Sequence, residues 1–246
     1  MLYLVGLGLI DEKDMSLKGL EACKKADVVF LERYTSPVNV NIENLEKLIE
    51  KEVIELSRKD VEEKNVVVKE AKDKVVAFIV PGDPLFATTH KEIVRECITH
   101  GIEVEVVHSS SILTAAGESG LSLYKFGRVV SLPFPQENYL PLSPYDHIVN
   151  NLNAGLHTLI LLDIGMDVQA AINVLLRMEE IKGNGIFNEK TKVVVLSRLG
   201  SRDKNALYGS ISKLKRIDFG KPPHCLILPA ELEHHEEEFL RLIEVK

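Results

Sequence analysis

The run Val75-Val76-Ala77-Phe78-Ile79-Val80 is apolar without a break and stops at Pro81-Gly82-Asp83-Pro84. A short apolar run with no polar alternation reads as a strand buried on both faces, which the interior of a parallel sheet provides. Its ending is just as restrictive. Two prolines remove two backbone donors and fix φ near −65°, while Gly82 permits a left-handed backbone or a close ligand approach. The turn holds one carboxylate. A rigid turn presenting an acid at a strand's C-terminal end is where open α/β sheets bind ligands.

The rest of the first half follows a βα rhythm. Leu2 to Val5 reads as a strand leading into Gly6-Leu7-Gly8-Leu9-Ile10, then a helix from about Ser16 with Leu17, Leu20 and Cys23 on one face. Val28 to Leu31 is a second strand, Ile42, Leu45, Leu48 and Ile49 mark a helix face, and Ile54-Glu55-Leu56 is a short strand. Thr89-His90-Lys91-Glu92 has capping-box spacing before a helix carrying Ile93, Val94, Cys97 and Ile98 and ending at His100-Gly101; Ile102 to Val107 is one more strand. Beyond Ser109-Ser110-Ser111-Ile112 comes a small-residue helix through Ala115-Ala116-Gly117, and an irregular stretch from Leu132 to Pro144. A second α/β series follows: strand His157 to Ile164, helix from Asp167 with Ala171, Val174, Leu175 and Met178 inward, strands Thr191 to Leu196 and Cys225 to Leu228, and a terminal helix within Glu231 to Ile243. The 246 residues therefore read as two α/β domains, 1–109 and 110–246, with a ligand cleft expected between them.

Composition narrows the class. Lys and Arg number 30 against 37 Asp and Glu, and a net charge of −7 argues against nucleic acid as the main partner. The opening Met1-Leu2-Tyr3 enters a strand with no basic segment before it, and no stretch reaches the roughly 18–20 apolar residues of a membrane span, so a cytoplasmic protein is expected. Cys23, Cys97 and Cys225 lie far apart in apolar sequence and read as small buried hydrophobes. The histidines include no helical His-x-x-x-His pair, and His234-His235 lies in an acidic run, so no metal site is expected.

Several local patterns bear on chemistry. Gly6-Leu7-Gly8 starts a dinucleotide fingerprint, but Asp11 stands where its third glycine belongs, and an acid there would repel a pyrophosphate. Gly-x-x-x-x-Gly-Lys-Ser and Gly-x-Ser-x-Gly are absent, which disfavours a triphosphate loop and a hydrolase nucleophile elbow. Asp83 has two readings: it closes its own turn through an Asx hydrogen bond, or it faces a hydroxylated or cationic small molecule. Tyr34-Thr35-Ser36-Pro37 and Ser109-Ser110-Ser111 put hydroxyl clusters after the second strand and the Ile102 to Val107 strand, where each is either a turn or cap or part of a ligand edge. His224 follows Pro222-Pro223 at the start of a strand, so its side chain is aimed from a fixed backbone.

Together these segments resemble the archaeal diphthine synthases, members of the tetrapyrrole-methylase class. The resemblance spans essentially the whole chain. It is carried by Tyr3 to Leu9, Glu32-Arg33-Tyr34-Thr35-Ser36, Pro81 to His90, Tyr124-Lys125-Phe126-Gly127, Gly155 to Leu159 with Leu162-Asp163-Ile164, and Asp218-Phe219-Gly220 with Pro222-Pro223-His224. The glycine-rich loop and Pro-Gly-Asp-Pro mark the wider class; the Tyr-Thr-Ser, Ala-Thr-Thr-His and Tyr-Lys-Phe-Gly segments are more specific. The resemblance implies a homodimer of two-domain subunits binding S-adenosylmethionine in the interdomain cleft. It also implies trimethylation of the amino group of a 3-amino-3-carboxypropyl histidine on elongation factor 2. Carried over by position, the cofactor contacts fall on Leu9, Asp83, Phe86, Ser111, Ile112, Leu162, Leu199 and His224, with Phe86 and Leu199 touching through backbone or packing. It singles out no catalytic base, although Tyr34, Thr35 or a cleft histidine could assist. Lys125, Arg128, Arg198, Arg202 and Lys204 are read as solvated charge or as a docking surface for the factor. The competing functions are a same-fold methyltransferase of a corrin or tetrapyrrole precursor or of ribosomal RNA, and a non-catalytic metabolite-binding protein.

Overall fold

A computed structural model describes residues 1–36, 40–137 and 139–246; Pro37 of the Tyr-Thr-Ser-Pro segment lies outside the described residues. The chain divides into two compact units, Met1–Leu113 and Thr114–Lys246, so the division falls four residues beyond the expected one.

In the first unit, strands β1 (Leu2–Gly6), β2 (Val28–Glu32), β3 (Val53–Leu56), β4 (Val76–Val80) and β5 (Val104–Val107) form a sheet in the order β3-β2-β4-β1-β5, with every pairing parallel. The helices are α1 (Leu17–Lys25), α2 (Ile42–Ile49), α3 (Arg58–Glu62), α4 (Val66–Ala71) and α5 (Lys91–Thr99). All five residues of β4 are buried, as its unbroken apolar sequence requires. The strand alternation splits the core between the two faces. Val5, Ala77 and Ile79 pack with Ala22 and Cys23 of α1, whereas Leu4 and Phe78 pack with Ile93 and Cys97 of α5. The chain leaves β1 for one face and its neighbour β4 for the other, which makes the gap between β1 and β4 the topological switch point of the sheet.

Two local expectations fail here. Leu17 is 79% exposed, and α1 buries Gly19, Ala22 and Cys23 instead, because only small side chains fit where Gly19 passes Val5. No capping box forms at Thr89. Its hydroxyl donates to Glu62, and α5 starts from His90 with no side-chain cap. The pattern also gave no sign of α4, whose Val66-Val67-Val68 has strand-like composition.

In the second unit, the short helix α6 (Ile112–Ala115) spans the division and leads to β6 (Val130–Leu132), α7 (Ser143–Asn153), β7 (Thr158–Leu162), α8 (Val168–Lys182), β8 (Lys192–Ser197), β9 (Asn205–Ser210), α9 (Ile211–Leu214), β10 (His224–Leu228) and α10 (His234–Leu242). The sheet order is β6-β7-β10-β8-β9, with β6–β7 parallel and the other pairs antiparallel. Inward residues of α8, including Ala171, Val174, Leu175 and Met178, pack against Ile160, Val193, Val195 and Leu226. The stretch expected to be irregular, Leu132 to Pro144, runs without helix or strand between the end of β6 and the start of α7 among the described residues. Pro144 sits in the first turn of α7, where a missing N–H costs nothing, so it starts the helix rather than breaking it.

Helix α10 is tied down by one acid. Glu236 is fully buried and accepts from the Ser122 amide (2.9 Å), Lys125 Nζ (2.7 Å), His157 Nε2 (3.1 Å) and the Glu233 amide (2.9 Å). Burial alone would raise its pKa, but these donors overcome that and hold it at about 2.

Candidate active site

The two loops at the switch point are stitched together through their backbones. Gly82 N–H donates to Gly8 O (2.8 Å) and Gly8 N–H to Gly82 O (3.3 Å), an isolated antiparallel bridge between the loops after β1 and β4. Gly6 is required by this approach, since a Cβ there would lie 2.7 Å from Gly82 O and 2.8 Å from Ser109 Cβ. Thus one use of the Gly-x-Gly pair is to let the protein's own backbone come close. Gly82 has φ +68° and only Ser111 Cβ, at 3.8 Å, near its vacant side-chain position, so conformation dictates glycine there. Asp11, the residue that breaks the dinucleotide fingerprint, instead caps a short 3₁₀ turn at Glu12–Asp14.

Asp83 does close its own turn: Oδ1 accepts from Leu85 N–H at 3.1 Å. The second oxygen faces the end of β5, where it accepts from His108 Nδ1 (2.7 Å) and Ser109 N–H (3.4 Å). The carboxylate thus joins the loop after β4 to the segment after β5 at the C-terminal edge of the sheet while its side chain keeps 16% exposure. Leu9 and Phe86 are half-buried on the flanking loops, Ser111 is buried, and Ile112 begins α6. These five expected positions belong to the switch-point loops and the segment after β5.

The other three converge separately, on one edge of the second sheet. Cys225 of β10 pairs with Leu161 and His224 with Ser197, so the end of β7 with Leu162, the start of β10 with His224 and the segment after β8 with Leu199 lie at the same edge. His224 is buried. Its Nε2–H donates to Gly220 O (3.2 Å) and its Nδ1 accepts from the Ser197 hydroxyl (3.0 Å), while burial pushes its pKa down and keeps it neutral.

A polar cluster of which the residue patterns singled out only Tyr34 and Thr35 lies beside the first group, at the ends of β2 and of the Pro81–His90 loop. Leu31 pairs with Ile79, which places Glu32 next to Val80. Glu32 is fully buried; one oxygen accepts from the Tyr34 and Thr35 amides, both at 3.0 Å, and the other from the Thr35 hydroxyl. Burial raises its pKa despite these donors. His90, 1% exposed, brings Nε2 within 4.0 Å of Glu32 Oε1 and 3.5 Å of the Tyr34 hydroxyl, with its ring edge-on to Phe78. Burial pushes His90 down to about 4, against a smaller upward pull from the Pro84 backbone, and its Nδ1 makes no hydrogen bond among the described residues. The available signal was an acid closing an otherwise apolar strand, Val28-Val29-Phe30-Leu31-Glu32.

The basic residues considered for docking divide. Lys125 is bound to Glu236 and the Glu231 carbonyl, Arg198 to Asp203 and the Phe219 and Lys221 carbonyls, and Lys204 to Glu118. Arg128 and Arg202 are exposed. No group of three or more His, Cys, Asp or Glu is placed to hold a metal ion among the described residues, and no helix there is long and apolar enough to cross a membrane.

Residues 1–215 match the family described as Tetrapyrrole (Corrin/Porphyrin) Methylases. A diphthine synthase of Methanocaldococcus jannaschii is 45% identical, covering 99% of this chain and 98% of its own. The chain belongs to the diphthine synthases of the tetrapyrrole methylase family. A protein of Arabidopsis thaliana named "Probable diphthine methyl ester synthase" is 42% identical over 100% of this chain and 99% of its own. A crystal structure of a diphthine synthase superimposes with a TM-score of 0.90 at 36% identity, covering 99% of this chain and 95% of the other. Family membership makes this diphthine synthase homologue a methyltransferase, and it accounts for two mixed α/β units with their loops gathered at sheet edges.

Proposed function

We propose that the chain binds S-adenosylmethionine through Leu9, Asp83, Phe86, Ser111, Ile112, Leu162, Leu199 and His224, and trimethylates the amino group of the 3-amino-3-carboxypropyl histidine of elongation factor 2. The observation that carries this reading is the chemistry of the expected positions, five at the switch-point loops and the segment after β5 and three at one edge of the second sheet, in a chain that a diphthine synthase matches over 99% of its length. Those eight positions comprise one carboxylate, one hydroxyl, one neutral imidazole and apolar side chains. Such a set suits a cation with hydroxyl groups and a flat base; lacking Lys and Arg, it suits a polyphosphate poorly. Asp83 retains acceptor capacity beyond its three internal hydrogen bonds, and Gly82 leaves space beside it. The proposal includes a homodimer working in the cytoplasm.

When bound, S-adenosylmethionine supplies a methyl group activated by positively charged sulfur. The work left to the chain is to place a neutral amine in line with that methyl and to keep water out. His90, held at about 4, is a weak acceptor for an alkylammonium proton, and the Tyr34 phenol, pushed up by burial, does not ionise near neutrality. These shifts speak against either as the base.

The test is incubation with labelled S-adenosylmethionine and elongation factor 2 bearing the modified histidine, read by mass spectrometry. Three alkali-stable methyl groups on that histidine are expected. The name of the plant relative favours a second product, in which a fourth methyl esterifies the carboxylate and is lost in mild alkali. No methyl on the factor would refute both.

A further inference from the structure

The loops after β2, β3 and β4 meet at one edge of the first sheet, and together they carry a cation that the switch-point positions do not use. Arg58 opens α3, directly after the Ser57 cap, and its guanidinium carbon stands 5.3 Å from the centroid of the Tyr34 ring. The neighbouring cations are committed: Arg33 pairs with Glu55 (3.4 Å), Lys59 with Glu63 (4.0 Å) and Lys64 with Asp60 (2.8 Å). Arg58, although exposed, makes no ion pair among the described residues; its partner is the aromatic face.

Tyr34 is oriented with unusual care for a residue after a strand. Its amide and that of Thr35 are pinned by Glu32, and its hydroxyl lies against His90 Nε2. The Glu32 carboxylate 4.0 Å from that nitrogen favours the tautomer with the proton on Nε2. The buried Nδ1 is then a bare lone pair, which is cheaper to leave unpartnered than a buried N–H. In that tautomer His90 donates to the Tyr34 oxygen. The phenol keeps its own O–H for a further acceptor. The guanidinium offers only donors, and the phenol, whose oxygen already accepts from His90, offers its O–H; the ligand they suit is an anion with more than one oxygen.

We propose that Arg58 and Tyr34 clamp the carboxylate of the substrate's 3-amino-3-carboxypropyl group, with His90 and Glu32 as positioning residues for Tyr34. This rests on the acceptor proposed above, whose carboxylate is attached to the same carbon as the amine to be methylated. Holding the carboxylate by its two oxygens fixes that carbon and presents the amine. It also withdraws those oxygens from the methyl donor, so Arg58 and Tyr34 set the choice between N-methylation and esterification. Two acids stand near the clamp: Glu32, whose oxygens are taken up by three donors from the Tyr34–Thr35 turn, and Glu62, which accepts from the Thr89 hydroxyl. The Arg58 charge acts on both Glu32 and Tyr34 and has to offset these acids for an anion to bind.

The test compares elongation factor 2 with and without the 3-amino-3-carboxypropyl group, binding to protein saturated with S-adenosylhomocysteine. Arg58→Gln should weaken affinity for the modified factor about tenfold, the range of one charge-assisted contact, and leave the unmodified factor unchanged. Tyr34→Phe should weaken it severalfold, and Arg58→Lys should retain part of the affinity because charge survives while the planar fork is lost. Affinity for S-adenosylmethionine should stay within about twofold in all three variants. In turnover, Arg58→Gln should raise KM for the modified factor more than it lowers kcat, and alkali-labile methyl should increase. Equal weakening toward both forms of the factor would make Arg58 a general docking charge and overturn the clamp, as would no change toward either. If the wild-type protein fails to methylate the modified factor, the acceptor reading falls and the clamp falls with it; if it methylates normally and Arg58→Gln matches it in KM and products, only the clamp falls.

Discussion

Asp83 has a demonstrated structural partner and a proposed ligand, and substitution by asparagine separates the two. Asparagine keeps a side-chain oxygen for Leu85 N–H, so the turn that this 3.1 Å contact closes should survive; the amide nitrogen in place of Oδ2 cannot accept from Ser109 N–H, and about 1 kcal/mol of stability should go with that contact. What disappears is the negative charge. A hydrogen bond to a charged acceptor contributes about 1.5–3 kcal/mol, so Asp83→Asn should weaken S-adenosylmethionine binding by roughly 10- to 150-fold. Asp83→Ala should show the same loss of affinity plus a further stability cost of about 1–2 kcal/mol, because the contacts to Leu85 N–H, Ser109 N–H and His108 Nδ1 all go. Isothermal calorimetry gives the affinities and urea denaturation the stabilities. If Asp83→Asn remains folded and binds S-adenosylmethionine within twofold of wild type, the acid is only a turn closer and the ligand reading is refuted.

The Glu236 carboxyl, held at about 2 against an ordinary 4.5, contributes about 3 kcal/mol above pH 5, and this is lost as pH falls from about 5 to 2. Buried His157, whose pKa is lowered by burial, adds a loss of the same sign as pH drops below 6.5. Glu236→Gln should therefore cost about 2–4 kcal/mol at pH 7 and show a shallower acid-unfolding curve, measured as urea midpoints at pH 7 and pH 4; parallel pH curves would contradict the role given to this acid. Gly6→Ala should cost about 1–3 kcal/mol, because the new Cβ falls under 3 Å from Gly82 O and Ser109 Cβ, and should weaken S-adenosylmethionine binding as the loops part. Unchanged stability and affinity would show that the two loops separate at no cost.

The first sheet was legible because its strands announce themselves locally. The unbroken Val75 to Val80 run and the proline turn after it marked a central strand and where it stops, and β4 is buried throughout. The helix at Leu17 was placed correctly, but its buried face was not, since periodicity ranks leucine above glycine where close packing needs glycine. The helix from Ser143 was hidden by a proline that begins it, and the insertion of β10 between β7 and β8 joins partners too distant in sequence for a local pattern to reveal. The candidate site followed the same division. Asp83 and the Gly-x-Gly pair stood out by residue type, whereas Glu32, His90 and Arg58 acquire meaning from burial, an unpartnered nitrogen and an aromatic neighbour, none of which a linear pattern records.

The bridge between Gly8 and Gly82 gives the candidate site a particular kind of cooperativity. Each loop supplies the other's backbone partner, so neither can open alone without stranding an amide and a carbonyl of its neighbour. The pair forms a single unit of local unfolding, with one opening free energy shared by residues more than 70 positions apart in the chain. Ligand contacts made to either loop are felt by both, and the surface they form is set by main-chain atoms, which side-chain substitution elsewhere on the loops leaves in place.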